Sequence, residues 1–361
     1  VDERFSFQPN PSPLAASARE AVLANPGFGR VFTDHMAVIH YEAGRGWYEP
    51  TVKARGPFAI DPACAVLHYA QEIFEGMKAY RTEAGEAVLF RPMENARRFN
   101  ASAQRMSMAQ IPEDLFLAAV RALVEVDGAW IPAIGEGSLY LRPFMFASGV
   151  YLGVKPSNDY IFAVIASPAG AYFNAGSGAI TIWASDAYSR AAPGGTGAAK
   201  CGGNYAGSLV AQAEATEAGC DQVLFLDAAE HRWVEELGGM NIFFVFEDGS
   251  LCTPPLGGTI LPGITRDALI TLARGLGHAV REAPYALDQW RADAQSGRLV
   301  EAFACGTAAV VAPIGHVKGR NLAFSISEGR PGPVAAALRA ALVDIQHGRA
   351  ADTHGWVERV A

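Results

Sequence analysis

Along the first half of the chain, hydrophobic positions alternate between the two-residue period of strands and the longer period of helices. His35-Met36-Ala37-Val38-Ile39-His40, within Val31 to Tyr41, reads as a strand. Ala65 to Phe74 reads as a short helix that ends at Gly76. Met77 to Arg81 and Ala87 to Phe90 read as short strands around Glu83-Ala84-Gly85-Glu86, a hairpin. Pro92, at a first-turn position that tolerates proline, opens a helix to about Met108 with Ala96, Phe99, Ala103 and Met106 on one face. Leu115, Phe116, Ala119, Val120, Leu123 and Val124 recur at helical spacing over Glu113 to Val126. Ser138 to Ser148 and Tyr160 to Ser167 then read as long strands.

Pro168 to Gly178 is rich in small residues but holds Tyr172 and Phe173, so it reads as a packed connection and not a free tether. The expected division is a domain over 1–169, a loop over 170–178 and a second domain over 179–361. In that second part Ile180 to Ala184, Gln222 to Leu226, Asn241 to Phe246, Val300 to Ala304 and Ala308 to Ala312 read as strands. Helices are expected near Tyr205 to Ala218, Thr265 to Leu276, Leu287 to Gln295 and Pro333 to His347, and hairpin turns at Asp227 to Glu230 and Glu247 to Ser250.

With 361 residues, 50% hydrophobic and 18% charged, the chain is folded and long enough for two cores. A net charge of −8 and the lack of basic runs argue against a nucleic-acid or anionic-membrane surface. No apolar run approaches the roughly 20 residues of a membrane span, and the polar, proline-rich start has no signal core. Cys64, Cys201, Cys220, Cys252 and Cys305 are widely spaced without CxxC, which reads as buried thiols of a cytoplasmic protein. The histidines form no metal-binding cluster, so no metal site is expected.

One segment changes the picture. Pro193-Gly194-Gly195-Thr196-Gly197-Ala198-Ala199-Lys200-Cys201-Gly202-Gly203-Asn204-Tyr205 sets a lysine between glycine-rich turns, in a chain whose cations are mostly arginine. Only an amine can lose its proton and condense with a carbonyl, so Lys200 is the candidate for a Schiff base with an aldehyde cofactor. Tyr205 is near enough along the chain to reach a ring hydroxyl if Gly202 and Gly203 turn tightly. A nucleotide loop is excluded, because Cys201 follows the lysine where GxxxxGK[ST] needs a hydroxyl. The dinucleotide GxGxxG fingerprint does not fit either.

Such a cofactor also needs an anion at its pyridine nitrogen and a phosphate cup. Glu235-Glu236 is the anion candidate; by itself the pair reads more readily as a solvated turn, since a buried carboxylate needs a cationic partner. Gly257-Gly258-Thr259-Ile260-Leu261-Pro262-Gly263-Ile264-Thr265-Arg266 runs a Pro-Gly turn into a helix with Thr265 as its expected N-cap, a place for phosphate or ordinary capping. Cys305-Gly306-Thr307-Ala308 offers a second turn, and Arg91, at a strand-to-helix junction, is either a phosphate ligand or an exposed helix-start arginine.

From about Gly27 to Val357 the chain resembles the branched-chain amino acid aminotransferases of pyridoxal-phosphate fold type IV. The motifs are Phe28-Gly29 with Phe32-Thr33-Asp34-His35-Met36, Leu67-His68-Tyr69-Ala70, Phe74-Glu75-Gly76-Met77-Lys78-Ala79-Tyr80 and Phe90-Arg91-Pro92. Leu139-Tyr140-Leu141-Arg142-Pro143, Gly170-Ala171-Tyr172-Phe173, Lys200 to Tyr205, Gly238-Gly239-Met240-Asn241 and Gly306-Thr307-Ala308 complete them. The resemblance implies an α/β (α+β) chain with a small N-terminal α/β domain, a larger C-terminal pseudo-barrel domain, and a homodimer. It implies an enzyme that moves the amino group of leucine, isoleucine or valine to 2-oxoglutarate, with amino acids and 2-oxo acids as its small-molecule partners and pyridoxal 5'-phosphate as cofactor. D-amino-acid transaminases and aminodeoxychorismate lyases share the fold type and are the nearest alternatives; a non-catalytic carrier of the cofactor is a further one.

By the same resemblance, Lys200 carries the cofactor and moves the substrate proton, Tyr205 holds the ring oxygen and Glu236 the pyridine nitrogen. Arg91, Ile264, Thr265 and Thr307 would hold the phosphate, and Tyr69, Thr307 and Ala308 the substrate α-carboxylate. Phe28, Phe74, Tyr140 and Tyr172 would wall the side-chain pocket, with Arg142 accepting the distal carboxylate of glutamate. Ala309 and Ala312 stand where the animal enzymes carry a CxxC pair, so no thiol switch is expected, and Gly239 replaces a threonine of some members.

Overall fold

The computed structural model describes residues 2–133, 137–170 and 178–360. The chain divides into two compact units, one of Val1–Tyr172, Ala199–Gly202 and Asp344–Ala361, the other of Phe173–Ala198 and Gly203–Val343. Among the described residues each unit is built on a nine-stranded mixed sheet.

In the first unit the strands run in the order Ser6–Phe7, Gly46–Ala54, His35–Glu42, Asp159–Ala169, Ser138–Ala147, Met77–Arg81, Ala87–Phe90, Val357–Arg359, with Glu72–Phe74 also on Ser138–Ala147. All pairings are antiparallel except that of the first two strands. Helices Pro92–Arg105 and Glu113–Val126 form as their periodicity predicts. Their apolar faces meet the sheet where Phe99, Phe116 and Phe162, none of them exposed, pack at 5.3–5.7 Å between ring centroids.

The expected helix over Ala65 to Phe74 is corrected. The helix covers Ala65–Tyr69, Ala70 turns left-handed at φ 48°, and Glu72–Phe74 is a strand. Phe74 therefore stands opposite Phe144, in a sheet the expected helix would have missed.

In the second unit the order is Val234–Leu237, Gln222–Leu226, Ile180–Ala184, Val310–Gly319, Leu299–Gly306, Asn241–Phe246, Leu251–Thr253, Val280–Glu282, with Leu322–Ser325 on Val310–Gly319. Asn241–Phe246 is buried on both faces, which explains its unbroken apolar run. Phe243 stacks on Phe303, and Phe244 meets Trp290 edge-on at 4.8 Å. The expected helix over Tyr205 to Ala218 is two helices, Gly202–Ala206 and Leu209–Glu217, broken at Gly207-Ser208. Most of the Pro168 to Gly178 connection, with Tyr172, lies outside the described residues.

Candidate active site

In the first unit, Lys200 is fixed by its own backbone. Its N–H donates to the buried Ser102 Oγ at 2.9 Å, and its carbonyl accepts the Phe74 N–H at 3.0 Å. The side chain then lies with Nζ 4.7 Å from the centroid of the Phe74 ring. The same ring carries the Arg142 guanidinium, whose Cζ is 4.6 Å from its centroid. Phe74 and Arg142 are brought together by the Glu72–Phe74 and Ser138–Ala147 strands, on whose shared face Tyr140 also stands. Arg142 Nη2 donates to Tyr140 Oη at 3.1 Å, and Phe28 meets Tyr140 edge-on at 5.1 Å. A Cβ on residue 76 would lie 2.2 Å from Tyr140 Oη, so Gly76 is what lets that hydroxyl in.

Phe28, Phe74, Tyr140, Arg142 and Lys200 thus form one group, all of them half-buried. Arg142 Nε is buried with no hydrogen-bond partner, an orphaned donor in that group. Tyr69 is not brought into it: its ring is exposed and its hydroxyl donates to the Leu152 carbonyl. Arg91 sits between Ala87–Phe90 and Pro92–Arg105 with φ 49°; its N–H donates to the Trp356 carbonyl and its Cζ is 5.2 Å from the Trp356 ring centroid.

In the second unit, Glu235 and Glu236 lie on a buried strand, Val234–Leu237, and not in a solvated turn. The partner that makes this burial possible is Arg190, whose Nη2 is 3.0 Å from Glu236 Oε1. The Leu261 N–H donates to the same oxygen at 3.0 Å, and Asn241 Nδ2 donates to Oε2 at 3.2 Å. Arg190 also donates to the Gly197 and Thr259 carbonyls, tying both glycine-rich turns to the carboxylate. Glu235 is different: burial raises its pKa, opposed by the Thr259 hydroxyl that donates to it.

Around Glu236 the remaining candidates converge. The space beside Gly239 reaches the Tyr205 ring, 3.9 Å from where a Cβ would be. Gly306 lies 3.6 Å, on the same measure, from the Gly239 carbonyl, and Thr307 and Ala308 form the turn that follows it. Asn241, paired with Cys305 in the sheet, reaches Gly263, where a Cβ would be 2.0 Å from its Oδ1. Thr265 is not the N-cap: Gly263 is, with extended backbone and no side-chain cap, because Ile264 and Thr265 already follow the helix Ile264–Gly275. A twelve-residue helix thus begins beside Glu236 without a capping side chain, its N-terminal turn suited to an anion.

Each of these groups, within its own unit, suits one part of pyridoxal phosphate. A backbone-pinned lysine suits an aldehyde, a buried, ion-paired carboxylate suits a protonated ring nitrogen, and a phenol suits a ring oxygen. The uncapped helix start with threonines nearby suits phosphate. Among the described residues, no group of His, Cys, Asp or Glu is placed to hold a metal ion.

Arg190, Ser102 and Glu72 escaped sequence reasoning. Glu72 accepts the Gly202 N–H, two residues beyond Lys200. None of the three lies in a pattern that marks it; each acts on a residue far along the chain.

Fold and site together are those of an amino-group-transferring enzyme. The model of the family described as "Amino-transferase class IV" matches residues 72–317. The chain is 54% identical over 358 residues to a probable branched-chain-amino-acid aminotransferase of Streptomyces coelicolor, covering 99% of each chain. It is 52% identical over 360 residues to the branched-chain-amino-acid aminotransferase of Mycolicibacterium smegmatis, covering 99% of this chain and 98% of that one. Among solved structures it is similar to the branched-chain amino acid aminotransferase of Thermobaculum terrenum in its PLP-bound holo-form (TM-score 0.73, 25% identity, 91% of this chain and 98% of that one). The chain belongs to the class IV aminotransferases, within their branched-chain-amino-acid branch.

Proposed function

We propose that the protein is a pyridoxal-phosphate-dependent transaminase that moves the amino group of L-leucine, L-isoleucine or L-valine to 2-oxoglutarate, and back. The observation that carries this reading is the Arg142 guanidinium laid against the rings of Phe74 and Tyr140. A wall that is aromatic except for one cation accepts an aliphatic side chain by burial and a glutamate side chain by charge. Full-length similarity to aminotransferases of this name, one of them solved in its PLP form, supports it.

When bound, pyridoxal phosphate supplies an aldehyde that condenses with amines and a ring that takes up the electron pair left when a Cα–H bond breaks. Lys200 Nζ would hold the aldehyde of that cofactor, and the same amine would carry the proton removed from the substrate Cα. Glu236, ion-paired with Arg190, would accept the hydrogen bond of the protonated ring nitrogen. The Tyr205 hydroxyl would bind the ring oxygen. Arg91, Ile264, Thr265 and Thr307 would bind the phosphate. Thr307 and Ala308 would bind the α-carboxylate, which Tyr69 would reach only by giving up the Leu152 carbonyl, and Phe28, Phe74 and Tyr140 would exclude water from the side chain. The first oxo acid leaves before the second enters, which gives ping-pong kinetics.

The protein acts as a homodimer in the cytoplasm. Ile60, Leu67, Val150, Leu152 and Val154 are exposed apolar residues on two segments joined by backbone hydrogen bonds between Ala63 and Tyr151 and between Ala65 and Gly149. The cysteines are free and buried, as a reducing compartment allows. Among the described residues, no helix is long and apolar enough to cross a membrane.

The test is turnover of L-leucine with 2-oxoglutarate by the purified yellow protein, set against D-alanine and aminodeoxychorismate. Formation of 4-methyl-2-oxopentanoate and L-glutamate is expected. Turnover of only the latter two substrates overturns the reading.

A further inference from the structure

Glu72 is an acid in a place that the transamination chemistry does not require. It opens the Glu72–Phe74 strand, opposite Phe146 of Ser138–Ala147, while Phe74 stands opposite Phe144. Strand alternation then puts Glu72, Phe74, Tyr140 and Arg142 on one face of the sheet. Lys78, buried and paired with Tyr140 on the next strand, adds a second cation to that face. The Glu72 carboxylate is half-buried and anchored by the Gly202 N–H. Gly202 is needed for that approach, since a Cβ there would lie 2.0 Å from Glu72 Oε1.

Among the described residues, Glu72 and Arg142 form no direct ion pair. Arg142 instead rests on Phe74, with Nε unpaired and Nη2 on Tyr140. Its charge still acts on Glu72: burial raises the pKa of this carboxyl, and the Gly202 N–H and the Arg142 charge both oppose that rise. An anion so placed offsets the field of the guanidinium without occupying its donors. When leucine is bound, Arg142 has a counter-charge nearby and is not a bare cation among aromatic rings. When glutamate is bound, the donors are free for its distal carboxylate, but the nearby anion weakens the attraction.

We infer that Glu72 is a specificity-determining residue, the standing counter-charge of Arg142 that sets how the pocket divides its affinity between aliphatic and carboxylate side chains. This rests on the reading of Arg142 given above.

The test measures binding of two substrate-like acids that cannot be transaminated, 4-methylvalerate and glutarate, to the holoenzyme by calorimetry. Glu72→Gln keeps an acceptor for the Gly202 N–H and removes only the charge. It is expected to raise the affinity for glutarate relative to 4-methylvalerate about tenfold. Glu72→Asp keeps the charge and loosens the anchor, and is expected to keep the wild-type ratio within about threefold. Arg142→Met is expected to cost glutarate at least tenfold and to spare 4-methylvalerate. An unchanged ratio in Glu72→Gln, with selective loss in Arg142→Met, overturns the role of Glu72 alone. A tenfold change of ratio in Glu72→Asp shows that anchoring and not charge matters, and overturns it too, even where Glu72→Gln does not fold. Equal losses for both acids in Arg142→Met overturn the reading of Arg142 itself.

Discussion

Arg190 and Glu236 form a buried ion pair, Nη2 to Oε1 at 3.0 Å, with both side chains at most 4% exposed. The guanidinium, with the Leu261 N–H and the Asn241 amide that also donate to this carboxylate, favours its charged form toward a ring nitrogen bound there. Glu236→Gln removes that anion and leaves Arg190 buried without a counter-charge, with neutral acceptors in the amide oxygen and the Gly197 and Thr259 carbonyls. The expected result is a large fall in the rate of the leucine half-reaction and a loss of stability of about 3 kcal/mol. Glu235→Gln has the opposite sign for stability: burial disfavours the charge on Glu235, so losing it is neutral or stabilising at neutral pH. Single-turnover rates and thermal midpoints of both variants decide. A severe defect at Glu235 with a mild one at Glu236 means that the wrong carboxylate is on the ring nitrogen.

Lys200 is held by main-chain groups, through Ser102 and Phe74, so removing its side chain leaves its anchors in place. Lys200→Ala is expected to fold normally, to lose covalent cofactor attachment and to abolish transamination. In the wild type, borohydride reduction followed by peptide mapping should label Lys200. A label on Lys78, the buried lysine of the same unit, sinks the assignment.

What was legible in the sequence depended on how local each signal is. Pro92–Arg105 and Glu113–Val126 show their buried faces at helical spacing, so both could be read. The break at Ala70 could not, because a left-handed alanine has no compositional mark; one expected helix became a helix and the strand that carries Glu72 and Phe74. The strand Gly46–Ala54 holds Pro50 in its interior, where proline argues against a strand. The structure accommodates it where the pairing register shifts, beside Glu49 at φ 52°. Lys200 stood out through its glycine-rich setting. Glu236 looked solvated on its own segment because the charge that compensates it, Arg190, is contributed by another part of the chain. The resemblance supplied what the segment could not.

The turn at Gly197 has no room for a side chain. A Cβ there would lie 2.3 Å from the Thr259 carbonyl oxygen and 2.6 Å from Ala191 Cβ, and a backbone oxygen cannot swing aside. Both the Gly197 and Thr259 carbonyls are acceptors for Arg190, so the strain is passed to the Glu236 pair. Gly197→Ala is expected to cost about 1–3 kcal/mol. Gly203→Ala, where nothing lies within 4 Å of the new atom inside a helical turn, should change stability by less than about 0.5 kcal/mol. Chemical denaturation of the two variants gives the comparison, and equal effects refute the steric account.

Asp227 closes the hairpin that sets the register of Glu236. Its Oδ2 accepts the N–H groups of Ala229 and Glu230 at 3.2 and 2.7 Å, and its Oδ1 those of Arg232 and Trp233 at 2.9 and 2.8 Å. The strands it joins pair Phe225 with Glu236. Burial alone would raise this carboxyl, but the backbone donors outweigh it and hold the pKa below the ordinary aspartate value. A depressed pKa in the folded state means that folding favours the ionised form. The resulting stability is present above the unfolded value of about 4 and is lost as the pH falls through the folded value. Asp227→Asn keeps one acceptor oxygen and should lower stability at neutral pH by about 1 kcal/mol. The gap in thermal midpoint between wild type and variant should be flat from about pH 5 to pH 8 and should shrink below about pH 4. A gap that widens on acidification would show that the carboxylate does not bear on the fold through its charge, and that the hairpin holds Glu236 in register by its strands alone.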